Sequence, residues 1–324
     1  MKDRYSRDIN YLRVSLTDKC NLRCRYCMPE EKEQCLNGDR LLTDDEIYRI
    51  IRILTSSGIE KVRFTGGEPL MRKNVFPLFR AVRQLEGLRT MSLTTNGTLI
   101  PLYEKELRES GFDQINVSID TLSRKEYADI TRTDGSLLDS VRKSLDILSL
   151  MDIMVKINCV PIKGLNEDAI PFLAEIAREQ PIDVRFIEFM PLGCHKKLTG
   201  IGSDEITWRL EKRFGKAEKI SGTIGEPAVY FRFRGFKGRI GVISPLSHKF
   251  CRDCSRIRLT PDGILRPCLF HDDGADIRTA IRNGAADKDI ADIFRSVVMN
   301  KPYEHFFNDS SGEGSRRNMN MIGG

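Results

Sequence analysis

Six of the nine cysteines fall into two groups of three, and these are the residues best suited to chemistry. The first tricysteine group has the spacing C-x3-C-x2-C and comprises Cys20, Cys24 and Cys27. The second has the spacing C-x2-C-x13-C and comprises Cys251, Cys254 and Cys268. Thiolates suit iron-sulfur clusters, and a cubane needs a ligand for each of its four irons. Three cysteines leave one iron open, which is typical of a chemical site.

Zinc is the alternative for both groups. The first group has no further Cys or His between residues 21 and 29 to complete a zinc site, which favours a cluster. The second group is flanked by His248 and His271, so a Cys3His zinc site and a cluster are equally compatible with its spacing. Cys35, Cys159 and Cys194 have no assigned role, and buried or surface thiols are the default for them.

Alternating strand-like and helical segments fill the first two thirds of the chain and predict a parallel sheet. The predicted strands are residues 11–16, 61–65, 90–95, 114–119, 155–160 and 182–189. Between the first two strands, Thr43 and Glu46 form a capping-box pattern ahead of apolar residues at helical spacing. Gly58 stands where that helix should end.

The predicted strands are apolar on one face and polar on the other. Their polar face carries Arg13, Lys61, Arg63, Lys156 and Arg185. A curved sheet with helices outside and a polar lumen inside explains this pattern, so the fold class is α/β, an incomplete (β/α)6 TIM-type barrel. The sixth strand breaks the alternation, which predicts a bulge or a wrong boundary there. The alternative architecture is an antiparallel sheet with one face in water.

A basic lumen would be costly to bury empty, and arginine is suited to bidentate contacts with phosphate or carboxylate. The cavity therefore favours an anion, and a polyanionic one in particular.

The sequence pattern changes after Phe214, where the alternation of strand-like and helical segments ends. Residues 229–233 and 239–243 alternate around a glycine-rich turn and predict a hairpin. We therefore predict a partial barrel over residues 1–215 and a smaller C-terminal domain over residues 216–324 that carries the second tricysteine group. The tail from Asn308 is expected to be flexible, and composition alone makes Gly323 and Gly324 a frayed end.

Composition excludes several classes of protein. Of 324 residues, 30% are charged and 40% hydrophobic, a balance that excludes a disordered chain. No apolar run approaches the roughly 18 residues of a transmembrane helix, and the first ten residues are too polar for a secretory signal. The net charge of +6 permits an anionic partner without identifying it. The expected location is the cytoplasm, with no membrane partner.

The segment CNLRCRYCMP resembles the cluster motif of radical S-adenosylmethionine (SAM) enzymes, and TGGEP at residues 65–69 resembles their glycine-rich motif. The resemblance implies that SAM binds the open iron of a [4Fe-4S] cluster. Electron transfer then cleaves a carbon-sulfur bond and gives a 5'-deoxyadenosyl radical, while the protein positions and shields the cofactor.

The segment CRDCSRIRLTPDG, together with Cys268 and the final IGG, resembles the GTP 3',8-cyclase family, which begins molybdenum-cofactor biosynthesis. This likeness covers essentially the whole chain. It implies a second [4Fe-4S] cluster whose open iron meets the guanine of GTP, and so favours a cluster over zinc. The implied reaction removes the 3' hydrogen of GTP and closes the ribose radical on C8, and reduction then gives 3',8-cyclo-7,8-dihydro-GTP.

The resemblance also implies individual roles. The SAM contacts by position are Tyr26, Gly67, Ser118 and Met190. The GTP contacts are Arg13, Arg63, Thr94, Lys156, Arg256, Ile257 and Arg258, to which the basic lining adds Lys61 and Arg185 as weaker phosphate ligands. Arg256 and Arg258 could act as a proton or electron relay beside Cys254, and Gly323 and Gly324 are expected to reach into the active site.

Two alternatives are open, one within the radical SAM superfamily and one from a different class of protein. A peptide-modifying radical SAM enzyme would share the first motifs but would not need the basic lumen or the final glycines. A nucleic-acid binding protein with zinc knuckles would explain the charge and the Cys/His spacing, but not a cluster motif directly after a barrel strand. The expected partners are therefore GTP and an unidentified electron donor rather than nucleic acid, and the chain could act alone or as a homodimer.

Overall fold

Strands and helices alternate along most of the chain in the computed structural model, which describes residues 1–31, 35–193, 198–220, 226–307 and 315–323. The strands are β1 Tyr11–Ser15, β2 Lys61–Thr65, β3 Thr90–Thr95, β4 Gln114–Ser118, β5 Met154–Cys159, β6 Asp183–Ile187, β7 Glu218–Ile220, β8 Ala228–Arg232, β9 Ile240–Ile243, β10 Arg256–Leu259, β11 Ile264–Arg266 and β12 Ala275–Asp276. The helices are α1 Asp44–Ser56, α2 Val75–Arg83, α3 Glu104–Glu109, α4 Arg124–Thr131, α5 Leu137–Ser149, α6 Ala169–Glu179, α7 Ser203–Phe214, α8 Ile277–Arg282, α9 Asp287–Met299 and α10 Met319–Ile322.

All twelve strands of the described residues form one open sheet. Its order is β12-β11-β10-β1-β2-β3-β4-β5-β6-β9-β8-β7, and β1 to β6 pair in sequence as parallel neighbours. β10 adds to β1 and β9 adds to β6, again in parallel. The predicted α/β partial barrel is confirmed, and the antiparallel alternative is wrong for its central strands.

The sheet curves, because side chains on distant strands interact across its polar face. Arg185 on β6 is close enough to Tyr11 on β1 and Arg63 on β2 for their charges to influence its pKa, which burial lowers. Five strand spacings of about 4.8 Å would separate β1 from β6 by about 24 Å in a flat sheet. The polar faces of the strands therefore surround a shared lumen.

The other face of the sheet forms the core. Leu12 and Val14 of β1 and Val62 and Phe64 of β2 are fully buried, and they belong to one hydrophobic cluster that includes the inner faces of the helices. The alternation read from the sequence is thus confirmed, since one parity of each strand packs against helices and the other lines the lumen.

Helix α1 shows how local sequence sets an element. The Thr43 side chain accepts from the Glu46 backbone N–H, and the Glu46 carboxylate accepts from the Thr43 N–H, so the predicted capping box is confirmed. Ile47, Ile50 and Leu54 are buried against the sheet. The helix ends at Ser56, and Gly58 follows at φ +106°.

The sixth strand ends two residues before the predicted boundary. β6 pairs with β9 in unbroken register from Val184 to Ile187, so no bulge is needed within it. Glu188 leaves the sheet, and its carboxylate accepts hydrogen bonds from the backbone N–H groups of Ser203, Leu246 and Ser247. The predicted strand was therefore too long, and Ile187, which shares the parity of Arg185 within β6, packs instead against a second cluster of Ala228, Tyr230 and Ile243.

The predicted hairpin after residue 215 is confirmed as the antiparallel pair β8 and β9. Because β9 and β10 extend opposite edges of the barrel sheet, the C-terminal part of the chain contributes to the same lumen. The proposed domain boundary near residue 215 stays a prediction. Within the described ranges, no helix has the length and apolar character needed to cross a membrane.

Replacing Thr43 by Ala should lower the free energy of unfolding by about 1 kcal/mol, because an N-cap side chain that satisfies a helix N–H is lost. Urea unfolding of the apoprotein, followed by circular dichroism, measures this. Ser136→Ala is the matched control, since Ser136 occupies the N-cap of α5 without a side-chain cap bond. Equal destabilisation by the two substitutions would contradict the assignment.

Candidate functional site

The first tricysteine group lies in the loop that follows β1, with its sulfurs close to one another. Burial raises the pKa of Cys20 and Cys27 to about 12 and that of Cys24 well above its usual value. The neighbouring thiolates raise the pKa of Cys24 further. Three partly buried sulfurs that repel one another when ionised need a metal centre to be stable as thiolates, so this donor set fits an iron-sulfur cluster.

N–H donors surround the same sulfurs. The backbone N–H of Leu22 donates to Cys20 Sγ at 3.4 Å, and Asn96 Nδ2 donates to it at 3.7 Å. The backbone N–H of Asn320 donates to Cys27. Such donors orient metal-bound thiolates and tune a cluster, which strengthens the fit.

The TGGEP segment packs directly against the loop that leads to Cys20. A Cβ on Gly67 would lie 2.3 Å from the Lys19 carbonyl oxygen, so no larger residue fits without backbone movement. Glu68 is fully buried and accepts from Thr95 Oγ1 at 2.8 Å and from the Asn96 N–H at 2.7 Å. Burial raises its pKa to about 7. The two motifs of the resemblance therefore form one site.

A tyrosine-carboxylate pair completes this end of the barrel. Tyr26 Oη donates to Asp120 Oδ2 at 2.5 Å, and Asp120 Oδ1 accepts from the Val160 N–H at 2.9 Å. Burial raises the pKa of Asp120 to about 6. Ser118 ends β4 two residues earlier, and Met190 lies half-buried after β6. Like Tyr26 and Gly67, both follow or end a strand at the same edge of the sheet.

Buried arginines line the lumen below this edge. Arg13 lies in register between Arg63 and Arg258 on the neighbouring strands. Burial, with repulsion from Arg258, lowers the pKa of Arg13 well below its usual value, and burial with repulsion from Arg256 lowers that of Arg258 to about 10. The predicted basic lining is thus present as a cluster of mutually repelling cations.

Neutral side chains accept hydrogen bonds from several of these arginines. Arg63 Nε donates to the Tyr11 hydroxyl and Nη1 to Thr94 Oγ1 at 3.3 Å, while Arg185 Nε donates to Asn158 Oδ1 at 2.9 Å. No carboxylate in the described part of the chain forms an ion pair with Arg63 or Arg185. Their charge therefore suits an anionic ligand.

Lys156 differs from the arginines, because acidic side chains already balance it. Its ammonium lies 3.5 Å from Glu226 Oε1 and 3.9 Å from Asp183 Oδ2, and it donates to Tyr230 Oη at 3.1 Å. A contact between Lys156 and an anionic ligand would compete with these partners.

Two further residues predicted to contact GTP, Lys61 and Ile257, do not present a buried side chain to the lumen. Lys61 begins β2 and is exposed. The Ile257 side chain is fully buried in the hydrophobic core, on the opposite face of β10 from Arg256 and Arg258. Only the backbone of Ile257 could therefore face the lumen.

The second tricysteine group lies before and after β10. Burial raises the pKa of Cys251, and the nearby Cys254 and Cys268 thiolates raise it further. The three sulfurs therefore lie near one another. Burial also acts to raise the pKa of Cys254, but the Arg256 and Lys301 cations outweigh it and lower that pKa to about 6. A thiolate is thus favoured here before any metal binds.

Each of the two histidines that could complete a zinc site has one ring nitrogen in a hydrogen bond, as metal-ligating histidines usually do. His271 Nε2 lies 3.2 Å from the Glu304 carbonyl oxygen, and His248 Nδ1 lies 3.1 Å from Ser247 Oγ. Across the described ranges, no three or more His, Cys, Asp and Glu side chains are arranged to hold a single metal ion. The ligands of a cubane lie further apart, because each binds a different iron, so this arrangement is compatible with a cluster, and the preference for a cluster over zinc stays a prediction from the family resemblance.

The segment around α10 connects the two groups. Asn320 Nδ2 donates to the Asp18 carbonyl oxygen at 3.1 Å, near the first group. Gly323 adopts φ +77°, and its carbonyl oxygen accepts from Arg258 Nη1 at 2.5 Å. A Cβ at Gly323 would lie 2.4 Å from Thr65 Oγ1, so this glycine sits inside the lumen. Gly324 lies outside the described residues.

Sequence reasoning missed four residues of this region. Tyr11, Asp120, Glu226 and Tyr230 contact Arg63, Tyr26 or Lys156. The sequence could have indicated two of them. Tyr11 shares the parity of Arg13 in β1, which predicts that it faces the lumen, and Asp120 directly follows a strand end, where site residues of a barrel lie. Glu226 and Tyr230 gave no such indication, since their pairing depends on the packing of β8 across the lumen.

Comparison with known proteins agrees with this geometry. The Radical SAM superfamily model matches residues 14–177, and the Molybdenum Cofactor Synthesis C model matches residues 182–307. The chain is 41% identical over 329 residues to the GTP 3',8-cyclase of Clostridium perfringens strain 13, with 100% of both chains covered. This chain belongs to the GTP 3',8-cyclase family. The family's enzyme of Syntrophomonas wolfei is 41% identical over 327 residues, again with 100% of both chains covered.

A solved structure shares the fold. SuiB of Streptococcus suis, bound to S-adenosylmethionine, has a TM-score of 0.63 at 16% identity and covers 96% of this chain and 76% of its own. The family resemblance read from the sequence is confirmed. Membership of the radical SAM superfamily implies SAM and an iron-sulfur cluster as cofactors, while the roles of individual residues stay predictions.

Gly67→Ala should weaken SAM binding by more than about tenfold, because the added methyl would push TGGEP away from the loop that leads to Cys20. Equilibrium dialysis of SAM with the anaerobically reconstituted protein measures this. Gly38→Ala is the control, since a Cβ there meets no atom within 4 Å. Unchanged SAM affinity in Gly67→Ala would show that the close approach is not required.

Proposed function

We propose that this protein converts GTP to 3',8-cyclo-7,8-dihydro-GTP, the first step of molybdenum-cofactor biosynthesis. One observation carries the assignment of residues to this reaction. Arg258 contacts Gly323 inside the lumen and lies beside the second tricysteine group, while the segment that contains Gly323 reaches the first group. The two groups therefore adjoin one cationic cavity, as a substrate shared between them requires.

A [4Fe-4S] cluster and SAM bound at the first tricysteine group would supply the radical chemistry that removes the 3' hydrogen of GTP. Cys20, Cys24 and Cys27 would hold that cluster. Tyr26, Gly67, Ser118 and Met190 border the place where SAM would bind. Glu68 and Asp120 present buried carboxylates at the same edge, where they suit the charged and polar groups of such a ligand.

The lumen arginines would bind the triphosphate. Arg13, Arg63 and Arg185 project from three strands around one cavity. A single guanidinium group can bind two phosphate oxygens at once. Thr94 holds Arg63 and could donate its hydroxyl to the same ligand. Fixing the triphosphate fixes the ribose, and small displacements at a reacting carbon are expensive.

Lys156 would join this set only by exchanging a carboxylate for phosphate. Glu226 is the partner that such a ligand would replace, because its side chain is 39% exposed while that of Asp183 is 11% exposed. Lys61, exposed at the start of β2, would act at longer range.

Cys251, Cys254 and Cys268 would hold a second [4Fe-4S] cluster, which would supply a binding site for the guanine. Arg256 and Arg258 would link that site to the substrate, and the Ile257 backbone lies between them. Gly323 would close the cavity above Ser15, whose buried hydroxyl has no hydrogen-bond partner among the residues described, and Gly324 would act with it in the reaction. An external donor, not yet identified, would supply the electrons.

We also propose a cytoplasmic location and an organisation into a barrel over residues 1–215 and a second-cluster domain over residues 216–324. The eight cysteines in the described ranges are free, as a reducing compartment would keep them.

The decisive experiment incubates anaerobically reconstituted protein with GTP, SAM and dithionite. We expect GTP-dependent 5'-deoxyadenosine and the cyclised nucleotide, both identified by mass spectrometry, and about eight irons per chain. Cys24→Ser is the control and should abolish both products. Deoxyadenosine that forms equally well without GTP would contradict GTP as the substrate, and about four irons would contradict the second cluster.

Arg258→Ala should lower kcat/KM for GTP by more than about tenfold while iron at the first group is retained, because Arg258 joins Gly323 to the second group. Steady-state cyclisation rates and iron analysis measure the two effects. Arg108→Ala, which removes an exposed helical ion pair with Glu104, is the control and should be silent. Loss of the first cluster in Arg258→Ala would show a structural role instead.

A further inference from the structure

Lys301 is a buried cation that the proposed reaction does not use. It follows α9 closely, and 2% of its surface is exposed. No carboxylate in the described part of the chain forms an ion pair with it. An isolated ammonium is expensive to bury, so its surroundings must stabilise the charge in another way.

The Lys301 ammonium donates to two carbonyl oxygens that flank the second tricysteine group. It lies 2.8 Å from the carbonyl oxygen of Arg256, two residues after Cys254, and also donates to that of Pro267, directly before Cys268. One side chain thus ties together the two segments that carry these cysteines. The ammonium is also close enough to Cys254 for its charge to attract the thiolate.

A second buried cation fixes the segment on which Lys301 stands. Arg7 forms an ion pair with Asp3 at 2.6 Å and donates to the carbonyl oxygens of Pro302 at 2.7 Å and Tyr303 at 2.9 Å. The same guanidinium donates to the carbonyl oxygen of Cys251 at 2.9 Å. The segment that begins at Lys301 is therefore fastened to all three cysteine segments, which leaves the ammonium little freedom to move away.

We propose that Lys301 is a positioning residue for the second cluster and that its charge raises the reduction potential of that cluster. Reduction adds negative charge to a cluster, and a buried cation nearby stabilises the reduced state more than the oxidised state. Its two hydrogen bonds hold the protein ligands at their spacing. This inference rests on the proposed second cluster.

The test compares wild-type protein with Lys301→Gln, which removes the charge, and Lys301→Arg, which keeps it. Each reconstituted full-length chain is titrated potentiometrically and followed by electron paramagnetic resonance, with Cys24→Ser versions to assign the second-cluster signal. Lys249→Gln is the matched control, because Lys249 lies in the same region but is paired with Glu304 at 3.0 Å.

We expect Lys301→Gln to shift the second-cluster potential to more negative values, with Lys301→Arg and Lys249→Gln near wild type. Loss of about four irons in Lys301→Gln, restored in Lys301→Arg, would also support the proposal through positioning. About eight irons with an unchanged potential in Lys301→Gln would overturn it, as would an equal shift in Lys249→Gln. About four irons in the wild type would instead overturn the second cluster itself, and this inference with it.

Discussion

The concentration of positive charge inside the barrel is the constraint on which the rest of the structure depends. Guanidinium groups on several strands face one cavity, where burial and mutual repulsion lower the pKa of Arg13, Arg185 and Arg258. A folded protein tolerates such repulsion only if other contacts offset it or a ligand relieves it. The lumen is therefore built to gain stability when a polyanion enters, and ligand binding and the stability of the fold are linked.

One strand, β10, connects the basic lining of the lumen to the second tricysteine group. β10 pairs with β1, which places Arg258 beside Arg13, and β10 begins two residues after Cys254. If Arg258 binds substrate as proposed, that contact would lie on a short, hydrogen-bonded strand that leads directly to a cysteine of the second group. Because β10 comes from the far end of the sequence, the barrel edge and the second group must assemble together.

Local pattern predicted the repeating part of this fold and missed the pairings between distant segments. Period-two alternation was enough to place Arg13, Arg63 and Arg185 on one face, since side-chain direction in a strand is set by parity. It could not show that β10 adds to β1, or that Glu226 pairs with Lys156, because neither contact produces a periodic pattern in the local sequence. The lumen position of Gly323 likewise came from family resemblance, since composition alone favoured a frayed end.

The two tricysteine groups differ in electrostatic surroundings, and this difference suits them to different tasks. Acidic Glu68 and Asp120 lie near the first group, whereas Arg256 and Lys301 lie near the second. Since reduction adds negative charge, a cluster at the first site would be harder to reduce than one at the second and, once reduced, would be a stronger electron donor. That is the property needed where a carbon-sulfur bond must be cleaved. The proposed second cluster, in its cationic surroundings, would instead retain an electron more readily and attract an anionic substrate, so one scaffold would hold two similar cofactors in distinct roles.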